Sequence, residues 1–193
     1  ASDAVDGGLV DAALGSGVLT SIGNSRINSV AAAGTVDIDA GTLTLGAAER
    51  LDDAAFLRIA AAATLVLNGN ERVGAVDAAG TITGTGQLSA SSYLLTGGLY
   101  ELDLGDGALT STGNSTFNGT SFATTVNVPS GTLTLVQPDT FRAQPAVTIA
   151  TGATMTLGGD ETFGSLAGGG DLALGAATLT TGSLGDSSFG GRS

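Results

Sequence analysis

Short segments in which apolar and polar residues alternate recur along the whole chain. Residues 36–38 (VDI) and 43–45 (LTL) have counterparts at 57–59 (LRI) and 65–67 (LVL), a step of roughly 21–22 residues. Alternation over three to five residues is typical of a β-strand with one buried face. The residues between these segments are mainly Gly, Ala, Asn and Asp, several of which favour turns. The pattern therefore predicts many short strands joined by tight corners.

A second, longer repeat relates the two halves of the chain at a distance of 90 residues. The stretch GSGVLTSIGN at 15–24 returns as GDGALTSTGN at 105–114, and GTLTL at 41–45 returns unchanged at 131–135. Self-similarity at a fixed offset indicates a repeat architecture rather than an irregular globular fold. We therefore expect each half of the chain to use the same structural plan.

The two periods together predict an all-β fold, a single-stranded parallel β-helix. In such a solenoid each strand stacks on its equivalent one rung away, and inward Leu, Val and Ile form continuous ladders. Gly and Asn are expected at the corners, where a positive φ is often required. We predict about eight or nine rungs of roughly 21–24 residues, with about four rungs in each 90-residue block.

The repeat also suggests how the chain is divided. Residues 1–14 are acidic and depart from the pattern, so we expect an N-terminal cap or extension there. Residues 15–181 are predicted to form one solenoid made of two related blocks, 15–104 and 105–181, and 182–193 a flexible tail or cap.

One segment raises a helical alternative. Residues 47–63 contain good helix formers, but the counterpart at 137–152 carries Pro138 and Pro145. Since the two segments should share one role, we expect no more than a short helical turn near 48–54.

Composition excludes several classes of function. The 193 residues carry a net charge of −12, with six arginines and no lysine, which cannot supply the basic patch of a nucleic-acid binder. The chain has no Cys and no His, and so lacks disulfides and the usual transition-metal ligands. No apolar run approaches the ~18–20 residues of a membrane helix, so we expect no membrane insertion by this segment.

Several stretches resemble repeats of the passenger domains of bacterial autotransporters and related large exported adhesins. They are AGTLTLG at 40–46, SGTLTL at 130–135, VTIATGATMTLGGDETFGSLAGGGDLALG at 147–175 and LTTGS at 179–183. The resemblance covers most of 15–175 and implies a right-handed parallel β-helix on the outside of a Gram-negative cell. It also implies a role in adhesion, aggregation or biofilm, with a cell surface, a polysaccharide or another copy of the chain as partner.

Paired carboxylates are the only candidates for catalysis. Four acidic pairs occur, and they are Asp37 with Asp39, Asp52 with Asp53, Asp103 with Asp106, and Asp160 with Glu161. Glycoside cleavage needs such a pair in a rigid cleft. Their counterparts 90 residues away are often neutral, and the chain has no His, Lys or Trp. We therefore interpret the pairs as a solvated acidic face of a protein that is not an enzyme.

Calcium is the only cofactor that the sequence suggests. The segment LDLGDG at 102–107 is similar to the glycine–aspartate turns of calcium-binding β-rolls, with Asp103 and Asp106 as the candidate ligands. A true array repeats every nine residues, whereas this segment occurs once, so we expect no bound cofactor.

Threonines form a possible surface ladder. If the intervening apolar residues face inward, T-x-T segments point outward, and three of them are spaced so that they could stack on one face: Thr132 with Thr134, Thr154 with Thr156, and Thr178 with Thr180. A flat T-x-T ladder is typical of ice-binding solenoids, although Thr is also simply a favourable exposed strand residue. Asn114 and Asn118 match the glycosylation pattern, which arises by chance in a chain of this composition.

The leading hypothesis is a non-enzymatic extracellular rod that acts in adhesion, aggregation or biofilm. A filament or surface-layer subunit built by end-to-end stacking is the first alternative, because open solenoid ends carry unpaired backbone groups. A polysaccharide-active enzyme and an ice-binding protein are the further alternatives.

Overall fold

The computed structural model describes residues 2–182, 184 and 187–192, and its regular structure is all β. The strands are β1 Ser2–Val5, β2 Gly8–Val10, β3 Val18–Ser21, β4 Ser25–Ile27, β5 Thr35–Ile38, β6 Gly41–Leu45, β7 Phe56–Ile59, β8 Ala63–Leu67, β9 Glu71–Arg72, β10 Ala75–Ala78, β11 Thr81–Ser89, β12 Ser92–Leu95, β13 Gly98–Leu104, β14 Ala108–Ser111, β15 Asn114–Phe117, β16 Thr125–Val128, β17 Thr132–Leu135, β18 Ala146–Ile149, β19 Thr154–Leu157, β20 Glu161–Phe163, β21 Ser165–Gly168, β22 Asp171–Ala173, β23 Leu179–Thr181 and β24 Ser188–Phe189.

The short helical turn that the sequence allowed near 48–54 is not formed. The described part of the chain holds no helix, and so none that could cross a membrane. The Asp52 carboxylate accepts a hydrogen bond from the Ala54 N–H at 2.9 Å, and the Asp52 carbonyl accepts one from the Ala55 N–H. This side-chain-to-backbone bond is the usual competitor of a helix at Asp. The chain therefore turns sharply into β7 instead of winding into a helix.

Two long parallel sheets run the length of the molecule. The first joins β1, β3, β5, β7, β10, β12, β14, β16, β18, β21 and β24 in that order, and we call it sheet A. The second, sheet B, joins β2, β4, β6, β8, β11, β13, β15, β17, β19 and β22. Because the chain passes from one sheet to the other and back in each rung, this is the predicted parallel β-solenoid.

A third, less regular face closes each rung. It contains the β20–β23 pair, the β9–β11 pair and two series of single bridges, Leu14–Ala31–Leu51 and Leu104–Ser121–Phe141. Backbone pairing on this face is shorter than in sheets A and B.

The pairing register itself repeats at 90 residues. Thr35 pairs with Phe56 and Thr125 with Ala146, and every other pair of these strands follows with the same offset. The bridges of the third face obey the same rule, since Leu14–Ala31 returns as Leu104–Ser121. The sequence repeat is thus a repeat of backbone pairing.

The rungs are shorter and more numerous than predicted. In sheet A the successive partners are Val18, Thr35, Phe56, Ala75, Ser92 and Ala108. The step along the chain is longest from Thr35 to Phe56 and shortest from Ser92 to Ala108. Five rungs therefore fill a 90-residue block, and the solenoid has about ten turns instead of eight or nine. The spacing predicted from the sequence is that of the longest rung of each block. In that rung aliphatic residues are strand partners of aliphatic residues, so its spacing is the easiest to recognise in the sequence.

Both terminal segments join the sheets. Residues 1–14, expected as a cap or extension, contain β1 and β2, which pair with β3 and β4 as ordinary strands do. The predicted tail, 182–193, includes Ser183, Gly185, Asp186 and Ser193, which lie outside the described residues. Within the rest of it, β24 pairs with β21, and Arg192 bridges Asp171.

A narrow aliphatic core fills the space between the faces. The inward positions of sheet A stack Leu19, Val36, Leu57, Val76, Tyr93, Leu109, Val126 and Val147 as successive partners, all of them buried. Each buried Leu, Ile or Val contributes about 1.5–3 kcal/mol through removal of apolar surface from water. Stability is therefore spread along the rod instead of being concentrated in one centre.

Candidate functional surfaces

The outer face of sheet B carries the threonines. Thr132 and Thr134 are the strand partners of Thr154 and Thr156, so the predicted stacking is present in these two rungs. The first block adds a second group, in which Thr42, Thr64 and Thr81 are successive partners. These side chains are half-buried, since strand neighbours flank them on both sides. Sequence spacing alone missed Thr81, because the rung that leads to it is shorter than the one before.

The remaining two threonines of the predicted ladder lie elsewhere. Thr178 precedes β23 and Thr180 lies in it, and the partner of Thr180 is Thr162 of β20, on the third face. In sheet B, the partner that follows Thr154 is Asp171. The ladder prediction is therefore wrong for Thr178 and Thr180. A uniform spacing would put them in sheet B, but the rung is shorter, so the chain has already passed the next corner and reached the third face.

Corner side chains join neighbouring rungs at several places, and Asp103 is one of them. The Asp103 carboxylate accepts hydrogen bonds from the Thr120 N–H at 2.9 Å and from the Thr120 hydroxyl at 2.8 Å. Asn24 and Asn114 do the same, because their side-chain oxygens accept from the N–H groups of Thr42 and Thr132. These bonds replace ladder hydrogen bonds where the backbone bends away from its neighbour.

Asp106, the second calcium candidate, is not brought together with Asp103. Asp103 lies in a groove with Glu101, Asn118 and Gln137, whereas Asp106 lines a different groove, beside Arg72. In the described residues no group of three or more Asp, Glu, His or Cys side chains is close enough to hold a metal ion. The two candidate carboxylates therefore do not lie together in one site.

The other acidic pairs serve the scaffold in three different ways. Asp37 and Asp39 both face Arg58, with nitrogen–oxygen distances of 3.8 and 3.3 Å. The Asp160 carboxylate accepts from the Thr178 N–H, and Asp52 forms the turn described above. These contacts join rungs or shape corners, and none of them presents two free carboxylates across a cleft.

Two buried glutamates form a feature that the sequence analysis missed. Glu71 and Glu161 are 1 % and 2 % exposed, and they occupy equivalent positions of the two blocks. The Glu71 carboxylate accepts from the N–H groups of Arg50 and Leu51 at 2.8 and 2.7 Å. Glu161 accepts in the same way from Thr140 and Phe141. Each carboxylate thus takes the place of the backbone carbonyls that a neighbouring strand would offer.

Burial changes the ionisation of these glutamates. It raises the pKa of Glu71 to about 7, although two backbone N–H donors act in the opposite direction. The pKa of Glu161 is also raised, again chiefly by burial. A signal was available in the sequence, because LNGNE at 67–71 returns as LGGDE at 157–161. A carboxylate kept at one place of a repeat of core and corner residues indicates a structural role.

Comparison with known proteins adds no identification to this geometry. No protein-family model, no curated protein and no solved structure matches the chain. The similarity to autotransporter passenger repeats therefore stays a prediction from the sequence, whereas the parallel β-solenoid is shown by the pairing of the strands.

Proposed function

We propose that the chain is a non-enzymatic structural rod on the outside of a Gram-negative cell, acting in adhesion, aggregation or biofilm. The observation that supports this proposal is the unbroken stacking of about ten rungs with one repeated pairing register. Such a rod is roughly 50 Å long. It is stiff because every rung packs against, and hydrogen-bonds to, its neighbours. The passenger-like sequence stretches supply the extracellular part of the proposal.

The negative net charge favours a rod that separates a binding feature from the cell over a surface that adheres without specificity. A net charge of −12 on a chain of 193 residues keeps copies apart in solution and opposes unspecific association. Attachment would then depend on particular surface features and not on general adhesiveness. A rod of this kind holds such a feature at a fixed distance from its anchor.

The experiment that tests the proposal uses the repeat itself. A second copy of residues 15–104 is inserted after residue 104, which preserves the pairing register and adds five rungs, about 24 Å. Parent and lengthened chains are displayed on a non-adhesive cell through the same anchor, and attachment and aggregation are measured. We expect both chains to promote attachment above the anchor alone, and the lengthened rod to retain it at greater reach. Attachment no higher than that of the anchor alone, with both rods folded, would contradict the proposal.

The threonine face supports a second candidate function, binding to an ordered surface such as ice. Within β6, β8 and β11, three consecutive rungs place Thr42, Thr64 and Thr81 in one column about 4.8 Å apart. Beside it stand Thr44, Val66 and Thr83. Regular hydroxyl and methyl groups of this kind would match a crystalline lattice. Thermal hysteresis and faceted ice crystals are the expected signs, and disc-shaped crystals would dismiss this candidate.

A further inference from the structure

A groove crosses the corner that leads from the third face into sheet A in four successive rungs. Its volume is about 530 Å³, and we call it the Arg72 groove. Its lining includes Asp53, Arg72, Ser89, Ser91 and Asp106, which come from the four rungs in turn. Since rungs are about 4.8 Å apart, the groove extends for roughly 14 Å along the rod.

The floor of this groove is fixed by a buried tyrosine. The Tyr93 hydroxyl donates to the Leu88 carbonyl and accepts from the N–H groups of Ala90 and Gly105, at distances of 2.8–3.0 Å. Burial raises the pKa of Tyr93 to about 12, so the hydroxyl keeps its proton and these bonds persist. The Ser91 hydroxyl and N–H both donate hydrogen bonds to the Gly74 carbonyl. These two bonds fix the corner at Ser91 against the rung that contains Gly74. The groove is therefore preformed.

Within the part of the chain that the structure describes, no ion pair joins Arg72, Asp53 or Asp106 to another side chain. Arg72 makes no hydrogen bond through its guanidinium to another described residue, and it lies more than 4 Å from the charged oxygens of Asp53 and Asp106. By contrast, Arg58 on sheet A faces two carboxylates at once. One guanidinium and two carboxylates thus line the same groove, and among the described residues none of the three is ion-paired.

The second block shows that the scaffold does not need these residues. The positions 90 residues beyond Asp53, Arg72 and Ser89 hold an alanine, a threonine and a leucine. The corner there is covered by the chain itself, because the Leu184 N–H bonds to the Gly164 carbonyl at 2.9 Å and the Leu184 side chain lies over Gly164. The open, charged groove is therefore not repeated 90 residues further along the chain.

We propose that the Arg72 groove binds a short segment of a neutral saccharide. A simple anion would meet two carboxylates and an acidic molecule, and a simple cation would meet Arg72 in the same groove. Neutral hydroxyl groups satisfy both kinds of side chain, since each can donate to Asp53 or Asp106 and accept from Arg72. This inference rests on the adhesive function proposed above and gives it a ligand class.

Amide chemical-shift titration of the whole chain tests the proposal. The probes are the neutral disaccharides cellobiose, chitobiose and maltose at millimolar concentration, with inorganic phosphate and calcium chloride as ionic alternatives. We expect at least one disaccharide to shift the amides of 72–74, 89–91 and 106–108. Since charge-assisted hydrogen bonds are lost, Arg72→Ala and Asp106→Asn should each weaken that binding by about tenfold or more.

Arg58→Ala is the matched control, because it removes an exposed arginine outside the groove and should leave the binding unchanged. The melting temperatures of all variants establish that they fold. The proposal is overturned if none of the disaccharides shifts groove amides, or if phosphate or calcium shifts them instead. Neither result would affect attachment by the lengthened rod, so failure of the groove and failure of the proposed function are distinguishable.

Discussion

The two 90-residue blocks share one backbone plan but fill it with different side chains. Ile27, Leu51 and Val73 of the first block correspond to Phe117, Phe141 and Phe163 of the second, and all six are buried. The rings of Phe141 and Phe163 lie 6.1 Å apart between centroids and are tilted by 57°, a favourable aromatic contact. Pairing register thus survives exchange of aliphatic for aromatic residues. A rung is therefore defined by apolar residues at its inward positions and by turn-forming residues at its corners. The identity of each apolar side chain matters less.

The outer surfaces of the blocks differ more than their interiors. Sheet A of the first block aligns Asp37, Arg58 and Asp77 as successive partners. The same three positions of the second block hold Asn127, Thr148 and Ala167. The same backbone forms with charged residues at these positions and with neutral ones. Charge at these positions is therefore not required for the fold. Chemistry that is specific to this chain is therefore best sought where the blocks disagree.

The largest effect is expected from a charge placed in the shared core. Leu43 and Leu133 are fully buried at equivalent positions, so Leu43→Asp or Leu133→Asp would bury an unpaired carboxylate. We expect each change to cost about 3–5 kcal/mol or more and to unfold at least the rungs around it. Circular dichroism melting curves measure the effect. Thr42→Asp and Thr132→Asp, on the outward side, are the controls and should melt close to the parent.

These variants also test how far the blocks are coupled. A single melting transition at lower temperature means that both blocks unfold together, whereas two transitions mean that one block survives alone. Melting of Leu43→Asp at the parental temperature would show that Leu43 does not face inward and that the assigned register is wrong.

The buried glutamates give the next largest effect, and it depends on pH. A carboxyl whose pKa is raised by folding contributes stability that is fully present below its unfolded value of 4.5 and lost as the pH rises through about 7. For Glu71 the loss is about 3 kcal/mol. Denaturant unfolding of the parent and of Glu71→Gln across this range measures it. We expect the variant to gain stability relative to the parent as pH rises.

Glu161→Gln should behave in the same direction, because burial also dominates at the second site. Glu101→Gln changes an exposed carboxylate of β13 and is the matched control. Curves of stability against pH that run parallel for the parent and for Glu71→Gln would show that Glu71 is not held in a buried site of this kind.

Much of this architecture could be predicted from the sequence, and the exceptions have physical causes. Parallel stacking and the 90-residue plan follow from alternation and repetition, which report burial directly. The number of rungs did not follow, because the shorter rungs place Ala78, Tyr93 and Ser111 at inward positions. At these positions the sequence lacks the pair of large aliphatic residues from which the spacing between rungs was read. A small or hydroxylated side chain inside a solenoid hides a rung from a search for hydrophobic pairs.

The candidate sites were predicted less well, since three-dimensional neighbours depend on the rung count. Thr178 and Thr180 were placed on the wrong face by an error of one corner. Asp103 and Asp106 are close in sequence but lie in different grooves, because a corner of the chain separates them. The Arg72 groove combines residues from four rungs, and no local motif marks such a combination.

Corner glycines should show a smaller effect that is equal in the two blocks. Gly41 and Gly131 have φ values of +71° and +73°, and an added Cβ would lie 2.7 and 2.5 Å from the backbone of Gly23 and Gly113. We expect Gly41→Ala and Gly131→Ala to cost about 1–3 kcal/mol each through backbone strain and crowding. Denaturant unfolding at one pH measures both. Gly34→Ala is the control, because nothing lies within 4 Å of its Cβ position. Unequal costs at 41 and 131 would mean that the corners are not equivalent.

The smallest effect is expected where the surfaces of the blocks differ. Arg58 is half-exposed and faces Asp37 and Asp39, so its ion pairs are screened by water. Replacing the first-block residues by those of the second, as Asp37→Asn and Arg58→Thr, should change stability by less than about 1 kcal/mol. The coupling between the two changes, taken from a double-mutant cycle in denaturant, should fall in the same range. A much larger coupling would mean that the charged column holds the first block together, and the two blocks would then be stabilised by different means despite their common register.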